Sequence, residues 1–84
     1  HPNPFNPDVT ISFALAERAN LNITIFNVKG QRVKTLAEGK YEAGNYNIVW
    51  QGNNDNNQSV GSGVYFYRIT AGKETLTGKM LMVK

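Results

Sequence analysis

Apolar and polar residues alternate in several short stretches of this chain, and this pattern narrows the possible folds more than any other feature. Val9, Ile11, Phe13 and Leu15 occupy every second position, and the same period recurs over residues 21–25 and 46–50. Side chains of a β-strand point alternately to its two faces, so this period predicts strands with one buried face. Asn and Gly, which tolerate the positive φ of tight turns, cluster between the stretches. The sequence therefore predicts an all-β chain.

The alternation predicts six strands and the turns between them. The strands are expected at residues 9–15, 21–25, 31–36, 46–50, 64–71 and 75–83. Tight turns are expected at residues 27–30 and 71–74, and loops at 38–44 and 52–63, the second with Val60 as its apolar anchor. In residues 64–71 apolar or aromatic residues occur at odd-numbered and at even-numbered positions, which predicts a strand covered on both faces. Six strands with no helix between them predict a small antiparallel β-sandwich.

Composition bounds the chemistry of the chain. In 84 residues there is no cysteine, and the one histidine is His1, so disulfides, thiolate catalysis, a two-histidine metal site and a buried histidine base are excluded. We therefore expect no enzyme, no cofactor and no metal. The net charge is +3, and the nine basic residues are scattered, so we expect no nucleic acid as partner. A large ligand cavity would consume most of the core of so small a chain, so we expect no small-molecule substrate either. A length of 84 residues predicts one domain, residues 1–84, and because the chain starts with His rather than Met we expect it to be part of a larger precursor.

Two groups of residues leave an alternative open. Residues 53–58 are rich in amide oxygens and suit a hard cation such as Ca²⁺, but Asp55 is their only carboxylate, so a solvated turn is favoured. Trp50 with the four tyrosines can form either an aromatic platform for a sugar or part of the core. The alternation that places Trp50 with Ile48 and Tyr46 favours the core.

Several short motifs occur in an order that matches a known family. They are Pro2-Asn3-Pro4-Phe5, Asn27-Val28-Lys29-Gly30, Gly44-Asn45-Tyr46, Gly63-Val64-Tyr65-Phe66-Tyr67-Arg68 and Lys79-Met80-Leu81-Met82-Val83-Lys84. In this order and spacing the chain resembles, over nearly all of its length, the C-terminal sorting domains of type IX secretion cargo, the type A Por secretion tail family. Residues 50–65 are also similar to the Ig-like domain of flagellar hook-capping proteins, which has the same fold.

The resemblance implies a function that composition alone does not give. It implies a small Ig-like antiparallel β-sandwich of six to seven strands that serves as a non-catalytic secretion signal on a larger cargo protein. The implied partners are the outer-membrane translocon and a sortase-like peptidase, and the implied location is the cell surface or the medium. The residues implied in recognition are Pro2, Asn3, Pro4, Phe5, Gly63, Tyr65, Lys79 and Lys84. The alternatives are an Ig-like spacer or carbohydrate-binding module, and a hook-cap-like scaffold domain.

The last predicted strand suggests how such a domain is recognised. If this strand lies at a sheet edge, a receptor can add a strand to it through main-chain hydrogen bonds. Lys79 or Lys84 would then set the register of the added strand. Lys79 and Lys84 are five residues apart, so they point to opposite faces of a regular strand.

Overall fold

The computed structural model describes residues 8–84, and these residues form six β-strands without a helix. The strands are β1 (Val9–Leu15), β2 (Ala19–Phe26), β3 (Arg32–Tyr41), β4 (Gly44–Trp50), β5 (Gly63–Ala71) and β6 (Glu74–Met82). Every pair of neighbouring strands is antiparallel. The predicted all-β fold of six strands is therefore confirmed.

The strands form two sheets. One sheet pairs β1 with β4, and the other has the order β3-β2-β5-β6. The β2–β5 pair joins strands that are distant in sequence, with Ile23 opposite Ile69. Between these two strands the chain forms β3 and then β4, which belongs to the other sheet. The two sheets face each other across a shared core, and this is the small sandwich that the sequence predicts.

The core consists of the inward-facing residues of both sheets. The largest fully buried side chains are Trp50, Ile23, Ile25 and Met82. The Trp50 ring packs edge-on against Tyr65, with ring centroids 5.0 Å apart, and its indole N–H donates to the carbonyl of Asn53 over 2.8 Å. Each such buried apolar side chain stabilises the fold by about 2 kcal/mol. Trp50 is therefore a core residue, as its alternation predicts, and it offers no platform to a sugar.

The third strand is longer than predicted. The sequence predicts a strand at residues 31–36 and a loop at 38–44, whereas β3 continues to Tyr41. Glu38, Gly39 and Lys40 pair with β2 through their main chains, and all three residues are exposed. The prediction was wrong because a polar, solvent-facing strand end carries no apolar alternation.

The prediction that both faces of residues 64–71 are covered is also wrong. Tyr65 and Ile69 of β5 are buried, but Val64 and Phe66 on the opposite face are 36% and 39% exposed. Only one face of the four-stranded sheet meets the other sheet, so the outward side chains of β5 meet solvent. The Arg68 guanidinium lies 4.9 Å from the ring centre of Phe26 on β2.

Candidate interaction surface

The four-stranded sheet has two edges, and the loop between β4 and β5 covers the first part of one of them, at Val33 and Thr35 of β3. The amide of Asp55 donates to the carbonyl of Val33 on β3 over 3.0 Å. The amide of Thr35 donates back to the Asp55 carboxylate, also over 3.0 Å. The guanidinium of Arg32 lies 3.7 Å from the other carboxylate oxygen, in an exposed ion pair worth at most about 1 kcal/mol. The loop therefore satisfies main-chain groups of β3 that would otherwise face solvent.

A five-residue turn holds this loop in shape. The side-chain oxygen of Asn54 accepts hydrogen bonds from the amides of Asn56 and Gln58, while the Asn54 amide donates to the carbonyl of Gln58. Asn57 has φ 62°, in the left-handed region that Asn tolerates better than most residues. The side-chain oxygen of Asn54 and one carboxylate oxygen of Asp55 thus accept hydrogen bonds from main-chain amides, and the other Asp55 oxygen lies beside Arg32. This arrangement gives the calcium alternative for residues 53–58 no support.

The same turn occurs a second time, between β2 and β3. The side-chain oxygen of Asn27 accepts from the amides of Lys29 and Gln31, and the two side-chain amides of Asn27 and Gln31 are hydrogen-bonded as well. Gly30, with φ 80°, takes the position that Asn57 takes in the loop. The shared pattern is Asn, two variable residues, Gly or Asn, then Gln. This repeat went unnoticed in the sequence.

At the opposite edge, β6 pairs with β5 alone among residues 8–84. Within this part of the chain no loop bonds to the outer side of β6 between Glu74 and Met82. Gly78, in the middle of β6, lies beneath the ring of Tyr67 from β5, where an added Cβ would overlap the ring. An aromatic ring laid over a strand glycine shields it from solvent and supports the strand. Among residues 8–84 no further strand pairs with the edge beyond it.

The end of the chain is tied to the long loop. The Lys84 amide donates to the hydroxyl of Ser62 over 3.0 Å. Its ammonium donates to the hydroxyl of Ser59 and lies 3.4 Å from the carbonyl of Gly52. The Lys84 ammonium therefore contributes to holding the loop at residues 52–62, and in this position it does not project from β6.

The structure brings some of the predicted recognition residues together. Pro2, Asn3, Pro4 and Phe5 lie outside the described residues. Gly63 begins β5 opposite Met82, and Tyr65 is buried, with its hydroxyl donating to the carbonyl of Gly61 over 2.8 Å. Lys79 is exposed beside Phe66. Of the described residues predicted for recognition, Lys79 is the one that projects freely from the outward face of β6.

Beside Lys79 the outward face is apolar. Leu81 of β6 pairs with Val64 of β5 and is 65% exposed, and Val83 follows it on the same side. We call the exposed residues Val64, Phe66, Leu81 and Val83 the outer apolar strip. The apolar residues of the predicted strands 64–71 and 75–83 include these four side chains, but the sequence did not show that they lie on the outward face of the sheet.

Charge is distributed unevenly between this region and the rest of the chain. Residues 1–62 hold five basic and five acidic residues, whereas residues 63–84 hold four basic residues and one acidic residue. The entire net charge of +3 therefore belongs to the β5–β6 hairpin and the residue that ends the chain. Among the described residues, the two ion pairs join Arg18 to Glu42 and Arg32 to Asp55, so both lie outside the hairpin. The scattered appearance of the charges in the sequence concealed this concentration.

An open groove of about 910 Å³ lies at the far end of the sandwich, between the end of β1 and the β5–β6 turn. Its apolar walls come from Phe13, Leu15, Ile69, Ala71 and Leu76, and charged residues of the two turns line its rim. Leu76 faces inward like Met80 and Met82, yet it is 56% exposed. Nothing in residues 8–84 covers β6 at this point, so the core is left open along the edge.

The described part of the chain offers no cluster suited to metal chemistry. Within residues 8–84 no three side chains of His, Cys, Asp or Glu come together as metal ligands would. Over the same range there is no helix of the length and apolarity needed to cross a membrane.

Comparison with known proteins gives one family. The family model described as FlgD Ig-like domain matches residues 5–75, which is most of the chain. No significant match was found among curated proteins or solved structures. The matched residues include β1 to β5 and end just inside β6.

Proposed function

The chain belongs to the FlgD Ig-like domain family, and from this membership we propose that it is a non-catalytic Ig-like module that works through protein–protein contacts. The observation that carries this proposal is the family match across residues 5–75. Two features support it. The core is filled by residues such as Trp50 and Ile23, and the exposed apolar residues lie on an outer face and at an edge, where a partner can reach them.

The first candidate is a scaffold domain of an extracellular assembly, like the Ig-like domain of hook-capping proteins. The family match favours this candidate directly. In such a role the sandwich is a rigid spacer, and its exposed edge and outer strip contact neighbouring subunits. A carbohydrate-binding role based on Trp50 lacks support because the Trp50 side chain is fully buried.

The second candidate is a type IX sorting signal that directs a larger cargo protein to the cell surface. The segment after residue 75 favours it, because this segment lies beyond the matched residues and is built into the sheet as β6. Lys84 is in turn bonded to Ser62 and Ser59. In this role the partners are the outer-membrane translocon and a sortase-like peptidase.

One experiment separates the candidates. The chain is fused to the end of a periplasmic reporter protein in a bacterium that has the type IX translocon, and in a matched strain that lacks it. Surface reporter that depends on the translocon supports the sorting role. Reporter that stays in the periplasm, together with concentration-dependent assembly of the purified fusion by light scattering, supports the scaffold role. A fusion that is both periplasmic and monomeric contradicts both.

A further inference from the structure

We propose that the free edge of β6 binds an acidic, extended segment of a partner protein, which adds to the four-stranded sheet as a fifth strand. This inference rests on the proposed role in protein–protein contacts and specifies the surface and the chemistry of the partner. It starts from the difference between the two sheet edges. Asp55 occupies the edge at β3, whereas no group in residues 8–84 occupies the edge at β6.

Main-chain hydrogen bonds would hold the added strand. An edge strand presents a row of unpaired N–H and C=O groups, and a second strand can satisfy them. β6 is a long edge, running from Glu74 to Met82. It is supported from within by β5 and by the Tyr67 ring over Gly78. The edge is therefore rigid enough to serve as a template.

The positive charge of the β5–β6 hairpin favours an acidic partner. The β5–β6 hairpin and the end of the chain contain the whole net charge of +3, and Lys79 stands at the middle of the edge with its side chain exposed. Opposite charges on neighbouring strands stabilise their pairing, and like charges destabilise it. An acidic side chain beside Lys79 is thus favoured, and a basic one is disfavoured.

The apolar residues on the two faces of β6 determine which side chains an added strand needs on each of its own faces. On the outward face an apolar side chain beside Leu81 would extend the outer apolar strip. On the inward face an apolar side chain would cover Leu76, which is 56% exposed, and enter the groove beside Phe13 and Ile69. The best partner strand is therefore apolar on its inward face and mixed acidic and apolar on its outward face.

The test uses the full chain and synthetic peptides of the same length as β6. In the acidic peptide valine alternates with glutamate or threonine, and in the matched basic peptide lysine replaces glutamate. Binding is followed by NMR. We expect the acidic peptide to shift the amide signals of β6 and to bind about three- to tenfold more tightly than the basic one. Absence of binding at about 1 mM acidic peptide, or shifts confined to β3, would overturn the proposal.

Two controls identify the charge and the edge. Lys79→Glu should reverse the preference between the peptides, whereas Lys40→Glu, the same charge change on β3, should leave the preference in place. The N–H groups of the valines point to one edge of the extended peptide, and those of the other residues point to the opposite edge. N-methylation of all valines therefore blocks hydrogen bonding at one edge, and N-methylation of all other residues blocks it at the other. One methylated peptide should lose binding, and the other should keep it. Equal effects of the two lysine variants, or of the two methylated forms, would contradict strand addition at β6.

Other occupants give distinct results. If the peptide binds only after residues 1–7 are removed, that segment is the natural occupant and the proposal fails. If the chain forms a dimer whose β6 signals depend on its concentration, a second copy is the occupant and the proposal also fails. A failure in these titrations leaves the scaffold and sorting roles standing, because the fusion experiment tests those roles separately in cells.

Discussion

The two edges of the four-stranded sheet are built differently, although both belong to strands of similar length. The β3 edge is covered near its start by the protein's own loop, in which Asp55 bonds to Val33 and Thr35. The β6 edge is supported from inside by the Tyr67 ring over Gly78, and within residues 8–84 its outer side has no partner. Unpaired edges invite pairing with other chains, and proteins commonly block them. Within residues 8–84 the chain covers part of one edge with a loop and leaves the other edge unpaired, which is why we propose the β6 edge as a site of interaction.

The largest loss of stability is expected from a substitution at Gly78, where β6 packs beneath the Tyr67 ring. Gly78→Ala places a methyl group where the Tyr67 ring lies, so either the ring or the strand must move. We expect a loss of about 1–3 kcal/mol in the free energy of unfolding, measured by urea denaturation. The matched control is Gly61→Ala, where an added Cβ meets open space and the change should be within about 0.5 kcal/mol. Equal losses for the two variants would show that the Tyr67 ring does not pack tightly over Gly78.

The next effect concerns the closed edge. Asp55→Ala removes the acceptor of the Thr35 amide and the ion pair with Arg32. We expect it to lower the free energy of unfolding by about 1.5 kcal/mol and to speed hydrogen exchange at Thr35. Asp55→Asn keeps an oxygen in reach of that amide and should retain most of the stability. If Thr35 exchanges equally slowly in both variants, the loop does not close the edge.

Variants of the two similar turns test whether the loop at residues 52–62 protects the edge of β3 or only stabilises its own conformation. Asn54→Ala and Asn27→Ala each remove a side chain that accepts two main-chain hydrogen bonds. Both should destabilise the fold by about 1 kcal/mol. Only Asn54→Ala should also speed exchange at Thr35, since only that turn carries Asp55. Faster exchange at Thr35 in both variants would argue against the specific role of the loop.

The smallest effect is expected at the end of the chain. Lys84→Ala removes the ammonium that bonds to Ser59 and lies near the carbonyl of Gly52. Because Lys84 and Ser59 are exposed, we expect a loss of about 0.5 kcal/mol or less. The local sign should be faster exchange of the Val60 amide, which donates to Gly52. An unchanged rate at Val60 would show that Lys84 does not hold the loop.

Much of the fold could be predicted from the sequence because one buried face gives a two-residue period. Val9–Leu15 was predicted to the residue, and Trp50 was placed correctly in the core. Where a strand has no buried face, the two-residue period of apolar residues is absent. The polar end of β3 was therefore predicted to be a loop. The period also does not reveal which strands share a sheet, so the two-sided apolar pattern of β5 was attributed to burial on both faces.

The candidate surface was predictable only in part. The sequence placed Lys79 in the last strand but left open whether that strand lies at a sheet edge, and among the described residues β6 does lie at an edge. The closure of the opposite edge by Asp55 joins residues about 20 positions apart, and no local pattern encodes such a contact. The repeated Asn turn and the charge of the last hairpin were both visible in the sequence. Their significance appears only when strand order places them at opposite edges.

Amide hydrogen exchange, measured residue by residue in the unliganded chain, tests the difference between the two edges most directly. The amide of Thr35 should be protected by its bond to Asp55, whereas every second amide of β6 should exchange at nearly the rate of an unfolded chain, because alternate amides of an edge strand point outward. Protection of all the amides from Glu74 to Met82 would mean that β6 is already covered, and it would contradict the account.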